Sequence, residues 1–480
     1  MKRIGEILFS VQSAAVAFAL LAASPVYAEN GHSAGQDSVV CLTLEQCREL
    51  ALRNNAAVLN AGLDVVAARA QKQEAVAGYF PKVSVTAMAF YAFDPFLELG
   101  LTDILGDTPF VRGLSSTLEG YASQYGFSTV YSTLKKGVMA NVSAIQPVFA
   151  GGRIITGNKM ARLGMEAASL KQEIQLRTTA EEVESGYWQI VSLEEKIECL
   201  KKTEELLDTL YRDVLSASGA GLALETDLLQ VRLKINELKA GRIRLENGLK
   251  MAKMNYFNSI GVEYNPYTTF GRSSAPSLDN IRLTDDIAGF ESPEYYYRDV
   301  EDVAASQEET RLLDLSVESK RLEKRMALGE ALPQIAVGAS YGYNNVIGKG
   351  AMNGLVFGMV QIPLSDWGGT ARKLQRLDAQ MQKAENDREY LGRQLVLQVH
   401  KLWLDLNAAW EQLQVSLENR DMSRSLMEQM RVQYDAGMVS VSEFLQTETA
   451  YAQAESELLD SQIAYRTALR AWLDKSDAGK

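Results

Sequence analysis

Tyr434-Asp-Ala-Gly-Met-Val-Ser-Val-Ser-Glu-Phe-Leu-Gln446 decides how the rest of the chain is read, because it has a partial echo at Ser218-Gly-Ala-Gly-Leu-Ala-Leu-Glu-Thr-Asp-Leu-Leu-Gln230. In each stretch a glycine, Gly437 or Gly221, is followed six residues later by a carboxylate, Glu443 or Asp227, and then by an apolar pair and a glutamine, Gln446 or Gln230. The two copies lie 216 residues apart. Each sits between long polar-rich patterns of helical period, so each is a turn at which one helix stops and another starts. A duplicated hairpin tip makes an internal repeat the first organisation to test.

Working outward from the tips, the order of elements recurs. The first repeat is expected over 43–261, with helices 43–78, 153–218 and 222–260 and strands 82–91 and 137–147. Thr43-Leu-Glu-Gln46 has the form of a capping box that opens the first helix, and Gly78 and Pro81 close it. At Pro81 the apolar period changes from near 3.6 to 2, with Val83, Val85, Ala87 and Ala89 alternating with Ser84, Thr86 and Met88. Val138, Ala140, Val142 and Ala144 repeat the alternation after a Gly- and aromatic-rich excursion from Tyr91 to Lys136, which reads as one large loop. The second repeat is expected over 300–474, with helices 300–331, 370–436 and 442–474 and strands 334–343 and 354–363. A linker, 262–299, separates the repeats, and 475–480 is a tail.

The helix 153–218 spans about 100 Å at 1.5 Å per residue, beyond the reach of globular helices. Leu193, Ile197, Leu200, Leu207, Leu210 and Val214 keep largely to three- and four-residue steps along it. In the last helix Phe444, Tyr451, Leu458, Tyr465 and Trp472 recur every seven residues, the pattern of helices packed lengthwise on helices. That aromatic stripe is expected to be structural core. Gly348-Lys-Gly350 lacks the spacing of a phosphate loop and is expected to be a hairpin tip.

Composition narrows the function classes. The N-terminal 1–28, with Lys2 and Arg3, an apolar run and Val26-Tyr-Ala28, reads as a secretory signal peptide followed by a flexible segment, 29–42. The formal charge of −12, about −13 once that leader is removed, disfavours nucleic acid as a partner. Only 10 prolines in 480 residues suit long uninterrupted helices. Three cysteines make no disulfide scaffold; Cys41 and Cys47 leave a local disulfide and two buried free thiols both open. The two histidines, His32 and His400, have no metal-ligand spacing, and no nucleophile or cofactor motif is present, so neither an enzyme nor a cofactor is expected.

Four strands cannot close a membrane barrel, which needs about eight, and an open sheet in lipid leaves backbone groups unsatisfied. Closure must come from other copies of the chain. The order of motifs Thr43-Leu-Glu-Gln46, Tyr79-Phe-Pro-Lys-Val83, Gln146-Pro-Val-Phe-Ala-Gly-Gly152, Trp367-Gly-Gly369 and the two tips resembles the TolC-like outer membrane efflux proteins of Gram-negative bacteria. The resemblance implies a homotrimer with a twelve-stranded β-barrel in outer membrane lipid and a long periplasmic α-helical barrel. It further implies partnership with a periplasmic adaptor (membrane fusion protein) and an inner-membrane pump, serving efflux of small molecules or type I secretion. A soluble periplasmic coiled-coil adaptor or scaffold is the competing reading, and it gives no reason for two matched pairs of alternating strands.

The resemblance also carries over site residues. Glu443 and Gln446 match positions of an acidic ring at the periplasmic entrance, Gln446 departing from the pattern in not being an acid. Asp227 matches a residue that restrains the closed tip through a basic partner, but the partner's position is Val439 here. Tyr434 matches a tyrosine that helps hold the tip closed. Gly221, Gly437 and Val439 are then the turns that meet the adaptor. For Glu443 the residues themselves offer another role, capping of the following helix beside Ser440.

Overall fold

The computed structural model describes residues 39–93, 97–99, 101–125, 131–133, 136–221, 223–266, 276–285, 289–345 and 350–476. The leader 1–28, most of the segment 29–42, His32, Gly348, Lys349 and the end of the tail lie outside the described residues.

Two units are distinguished. The smaller, residues 1–42 with 263–282, contains β1 (Val40–Leu42) paired with β6 (Ile281–Leu283). The larger, 43–262 with 283–480, holds both repeats.

In the larger unit the expected first helix is two helices, α1 (Leu44–Asn54) and α2 (Ala56–Ala77). Thr43 forms the capping box read from the sequence, its hydroxyl accepting from the Gln46 amide while the Gln46 side chain accepts from Thr43 N. The break falls at Asn55, which leaves helical geometry (ψ 127°) to cap α2 through its side-chain oxygen and to donate from Nδ2 to the Ser259 carbonyl at 3.1 Å. The apolar period runs through Asn55 unbroken, and the break is fixed by this local cap together with the contact 204 residues away in sequence.

The strands β2 (Lys82–Tyr91), β5 (Lys136–Ala150), β7 (Gln334–Asn344) and β8 (Ala351–Gln361) form one sheet in the order β2-β5-β7-β8, antiparallel throughout. The β5–β7 ladder, with Val142 opposite Tyr341, joins the two repeats into a single sheet and shifts register between Pro147 and Phe149. The excursion expected to be one loop is ordered: β3 (Leu97–Leu99) pairs with β4 (Tyr131–Thr133), and between them lie α3 (Leu101–Leu105) and α4 (Pro109–Tyr125). Glycines at 113 and 120 weaken the helical signal of α4 enough to hide it in the sequence.

Two helical hairpins follow. α5 (Arg153–Gly219) turns into α6 (Glu225–Ile260), and α9 (Gly369–Asp435) turns into α10 (Val441–Ser476); α5 and α9 are 67 residues each. The expected helix 300–331 is again two, α7 (Val300–Ala305) and α8 (Glu308–Glu330). Asp299 caps α7, and Gln307, buried between the two, donates to the Val303 and Lys475 carbonyls at 2.8 Å.

The aromatic stripe is core. Tyr465 and Trp472 are completely buried with Leu406 and Leu413 of α9, and Val300 and Val303 of α7 close the cluster. The indole N–H of Trp472 donates to the Tyr296 carbonyl at 2.9 Å, and the Tyr465 hydroxyl donates to the Glu291 carbonyl. Part of the linker is thereby fastened to the side of the second hairpin, its polar backbone satisfied where it packs.

The cysteines carry no disulfide. Cys41 is exposed, whereas one of the two alternatives left open by the sequence had both thiols buried. Cys47 is fully buried, and desolvation pushes its thiol pKa up, which keeps it protonated and inert.

Candidate functional site

The first candidate surface is the sheet. Side chains alternate across a strand, so the register sorts them into two faces. One face carries Val83, Val85, Val142, Ala144, Val337, Tyr341, Val356 and Val360, aligned through the pairs Val85–Val142, Val142–Tyr341 and Ala339–Val356. Val85 is 74% and Val356 83% exposed, so none of the described residues covers this face there. The other is mixed: it carries Ser84, Thr86, Asn141, Ser143, Ser340 and Asn353, with Ser84 and Ser143 sharing a hydrogen bond of 3.0 Å, together with the apolar Met88, Ile145, Leu355, Phe357 and Met359. Among the described residues β2 and β8 each have one neighbour, so both edges of the sheet are open.

The second candidate surface is the pair of tips. Gly221 (φ +77°) and Gly437 (φ +72°) both take the left-handed conformation that ends a helix, as the duplicated pattern requires. At the second tip the amide of Gly437 donates to the Tyr434 carbonyl and that of Met438 to the Gln433 carbonyl, both at 2.9 Å. Glu443 then closes a capping box: its Oε2 accepts from Ser440 N and Ser440 Oγ at 2.8 Å, while its own amide donates to Ser440 Oγ at 3.3 Å. The Ser440 backbone and hydroxyl hydrogen bonds hold the carboxyl below the usual glutamate range. Glu443 is therefore a helix cap, and it is also exposed and ionised; Gln446, one turn on, is exposed as well.

At the first tip Asp227 supplies only the return half of such a box, accepting from Leu224 N at 3.2 Å, because Leu224 has no side-chain acceptor. Among the described residues no ion pair joins Asp227 to the second tip. Val439 is half-buried. The two tips are held together instead by apolar packing: Leu207, Leu210 and Val214 of α5 and Val231 and Ile235 of α6 form one cluster with Val441, Phe444 and Leu445 of α10. Tyr434 stacks on Phe444 with ring centroids 5.1 Å apart. Burial raises its hydroxyl pKa, and the carboxylates of Asp213, Asp227 and Asp435 add to the shift. Tyr434 and Asp227, each matched separately to a residue that holds the tip closed, thus lie in one electrostatic neighbourhood.

A residue absent from the sequence expectations lies one turn above this cluster. Glu448 is 4% exposed, and its Oε2 has no hydrogen-bond partner. Desolvation, with a smaller contribution from Glu455, pushes its pKa up to about 7. Glu455 in turn accepts from Cys199 Sγ of α5 at 3.1 Å and from the Tyr451 hydroxyl at 2.5 Å. The signal was present in the sequence: Val441, Glu448 and Glu455 share one heptad position, so two acids sit on a helical seam.

No group of acidic, His or Cys side chains among the described residues is arranged to hold a metal ion. No described helix is long and apolar enough to cross a membrane.

Residues 303–473 match the family described as outer membrane efflux protein. Across nearly the whole chain the fold is that of solved outer-membrane proteins. VceC of Vibrio cholerae, 12% identical, aligns over 91% of this chain and 96% of its own with a TM-score of 0.69. The CmeC outer membrane channel of Campylobacter jejuni, 15% identical, aligns over 91% and 86% with a TM-score of 0.67. The open state of the MtrE channel of Neisseria gonorrhoeae, 14% identical, covers 94% of both chains with a TM-score of 0.67. Comparison with functionally curated proteins finds no match. The resemblance read from the motifs is borne out in the second repeat by the family and in both repeats by the fold.

Proposed function

We propose that this chain, an outer membrane efflux protein domain over 303–473 within the fold of outer-membrane channels, is the outer-membrane conduit of an export system. The observation that carries the proposal is the open-edged sheet, largely apolar on one face and mixed polar and apolar on the other, joined to helices about 100 Å long by helix rise. An apolar outer face and a polar inner face are what a strand needs between lipid and water. The open edges need partners, because no solvent in the bilayer satisfies them. Three copies supply twelve strands, and the homotrimer closes the barrel.

The helices below call for the same assembly. Leu397, Leu404, Val415, Met422 and Leu426 form an exposed apolar stripe along α9, suited to helices of adjacent copies in a periplasmic α-helical barrel. The tips are the far end of that tube. There Glu443 lines the entrance as one carboxylate per copy, and the turns at Gly221, Gly437 and Val439 meet a periplasmic adaptor that connects to an inner-membrane pump. Small molecules are the cargo this reading favours.

The test is fractionation and recording together. The protein is expected in the outer membrane, extracted only by detergent, as a trimer that conducts in planar bilayers. Recovery in a detergent-free periplasmic extract would instead support the soluble adaptor.

A further inference from the structure

The two junctions between sheet and long helix occupy equivalent places in the repeats, yet one carries an oddity. In the first, Ala150-Gly-Gly-Arg153 leads into α5, with Gly151 at φ +62° and Gly152 at φ +75°. In the second, Asp366-Trp-Gly-Gly369 leads into α9, with Trp367 at φ +54° and Gly368 at φ +83°. The same left-handed pair is built with Gly-Gly in one and Trp-Gly in the other.

Glycine at 151 is obligatory twice over, since a Cβ there would fall 2.0 Å from the Gly329 carbonyl oxygen. At 367 a tryptophan occupies backbone space that side chains disfavour, and it is the one non-glycine residue with positive φ among the described residues. It gains nothing from packing in return, for it is 98% exposed. The turn nonetheless fixes it. The Asp366 carboxylate accepts from the Gly368 amide at 3.2 Å and from the Thr370 amide at 2.5 Å, and Trp367 N donates to Ser365 Oγ at 3.4 Å. A strained residue presented rigidly and bare points to a partner outside the chain.

We propose that Trp367, with Leu364 beside it, is a lipid anchor that seats in the headgroup–acyl boundary of the bilayer leaflet nearest the long helices. The proposal rests on the outer-membrane reading. Its position supplies the argument for lipid. β8 is 11 residues, the length of a strand that crosses a bilayer, and Trp367 lies just beyond its helix-side end. The apolar face continues toward it through Val360, Ile362 and Leu364, the last 92% exposed. At the opposite end of the same face stand Tyr91, Tyr341 and Tyr343, exposed on their strands. Tryptophan and tyrosine collect at both water boundaries of a membrane protein, where an amphipathic ring meets headgroups on one side and acyl chains on the other. Trp367 completes the second boundary of a sheet whose first is already aromatic.

The chain has five tryptophans, and Trp188 and Trp472 are buried while Trp403 and Trp410 lie against the aromatic core, so Trp367 can be read spectroscopically. The full-length protein is reconstituted into phosphatidylcholine vesicles whose acyl chains carry bromine either near the headgroup or deep in the leaflet. Quenching is expected to be strong with shallow bromine, weaker with deep bromine, and lost in Trp367→Phe. Trp367→Gly, which relieves the backbone, is expected to keep or raise the thermal midpoint in detergent while lowering insertion into vesicles several-fold. Insertion and conductance without quenching of Trp367 would overturn the anchor alone and place the indole against a neighbouring copy. Failure of the wild-type chain to insert would overturn the channel reading and the anchor with it.

Discussion

The two hairpin tips share a glycine turn and a following acid, but they are finished differently. At the second, Ser440 and Glu443 cap α10 reciprocally, and Tyr434 locks onto Phe444. At the first, Leu224 stands where a capping side chain belongs and is 68% exposed, so Asp227 completes half a box around an amide. The second tip therefore starts its helix from its own side chains. The first depends more on the apolar cluster it shares with the second. A repeat that is nearly symmetric in length has divided its labour, one tip carrying local rigidity and an exposed carboxylate and the other a packing surface.

The strongest way to break this comparison is to remove that packing surface. Leu207→Pro interrupts α5 where Leu207 is buried in the shared cluster, and it should cost about 3 kcal/mol or more and abolish export. Normal drug resistance in such a strain would show that the first hairpin does not support the second. Next in size is Glu448→Gln. The folded state holds the Glu448 proton up to about pH 7, whereas an unperturbed glutamate releases it near 4.5. The native state therefore binds more protons between these values, and stability falls as pH rises through that window. The glutamine variant should gain on the order of 2–3 kcal/mol at pH 8 and little at pH 4, as read by denaturant unfolding. Equal gains at both values would mean that the carboxylate is not buried in its charged form.

Smaller effects test the caps directly. Ser440→Ala should destabilise by about 1 kcal/mol, and Leu224→Ser should stabilise by a similar amount by giving the first tip the cap it lacks. Hydrogen exchange at the first turns of α10 and α6 would show the two tips converging. The smallest expected change in stability is that of Glu443→Gln, since glutamine also serves at this position of a capping box. Its effect should appear in single-channel recordings as a weaker cation preference, and unchanged selectivity would leave Glu443 as a cap only.

Much of the fold could be read in advance because it is written in short-range periods. Alternation at Val83 to Ala89 and at Ile335 to Tyr343 gave strands within a few residues of those observed, and the heptad from Phe444 to Trp472 gave a buried seam. The tips were legible because a left-handed glycine is a local requirement. The interruptions at Asn55 and Gln307 were not, since each joins a local bond to a hydrogen bond with a carbonyl more than 160 residues away. For Glu443 the sequence left two roles open. The structure shows the cap, and the exposure of the same carboxylate keeps it available for the entrance.

The sequence by itself determined a duplicated order of long helices and strands and the two turns, because residues three, four or two positions apart dictate those features. Tertiary structure decided that β5 pairs with β7 to fuse the repeats into one sheet with a largely apolar face. It also decided that an acid on a seam is buried beside a second acid, and that the tips hold each other by packing rather than by charge. Each of these depends on groups far apart in the chain meeting where water is excluded, and no local pattern records that meeting.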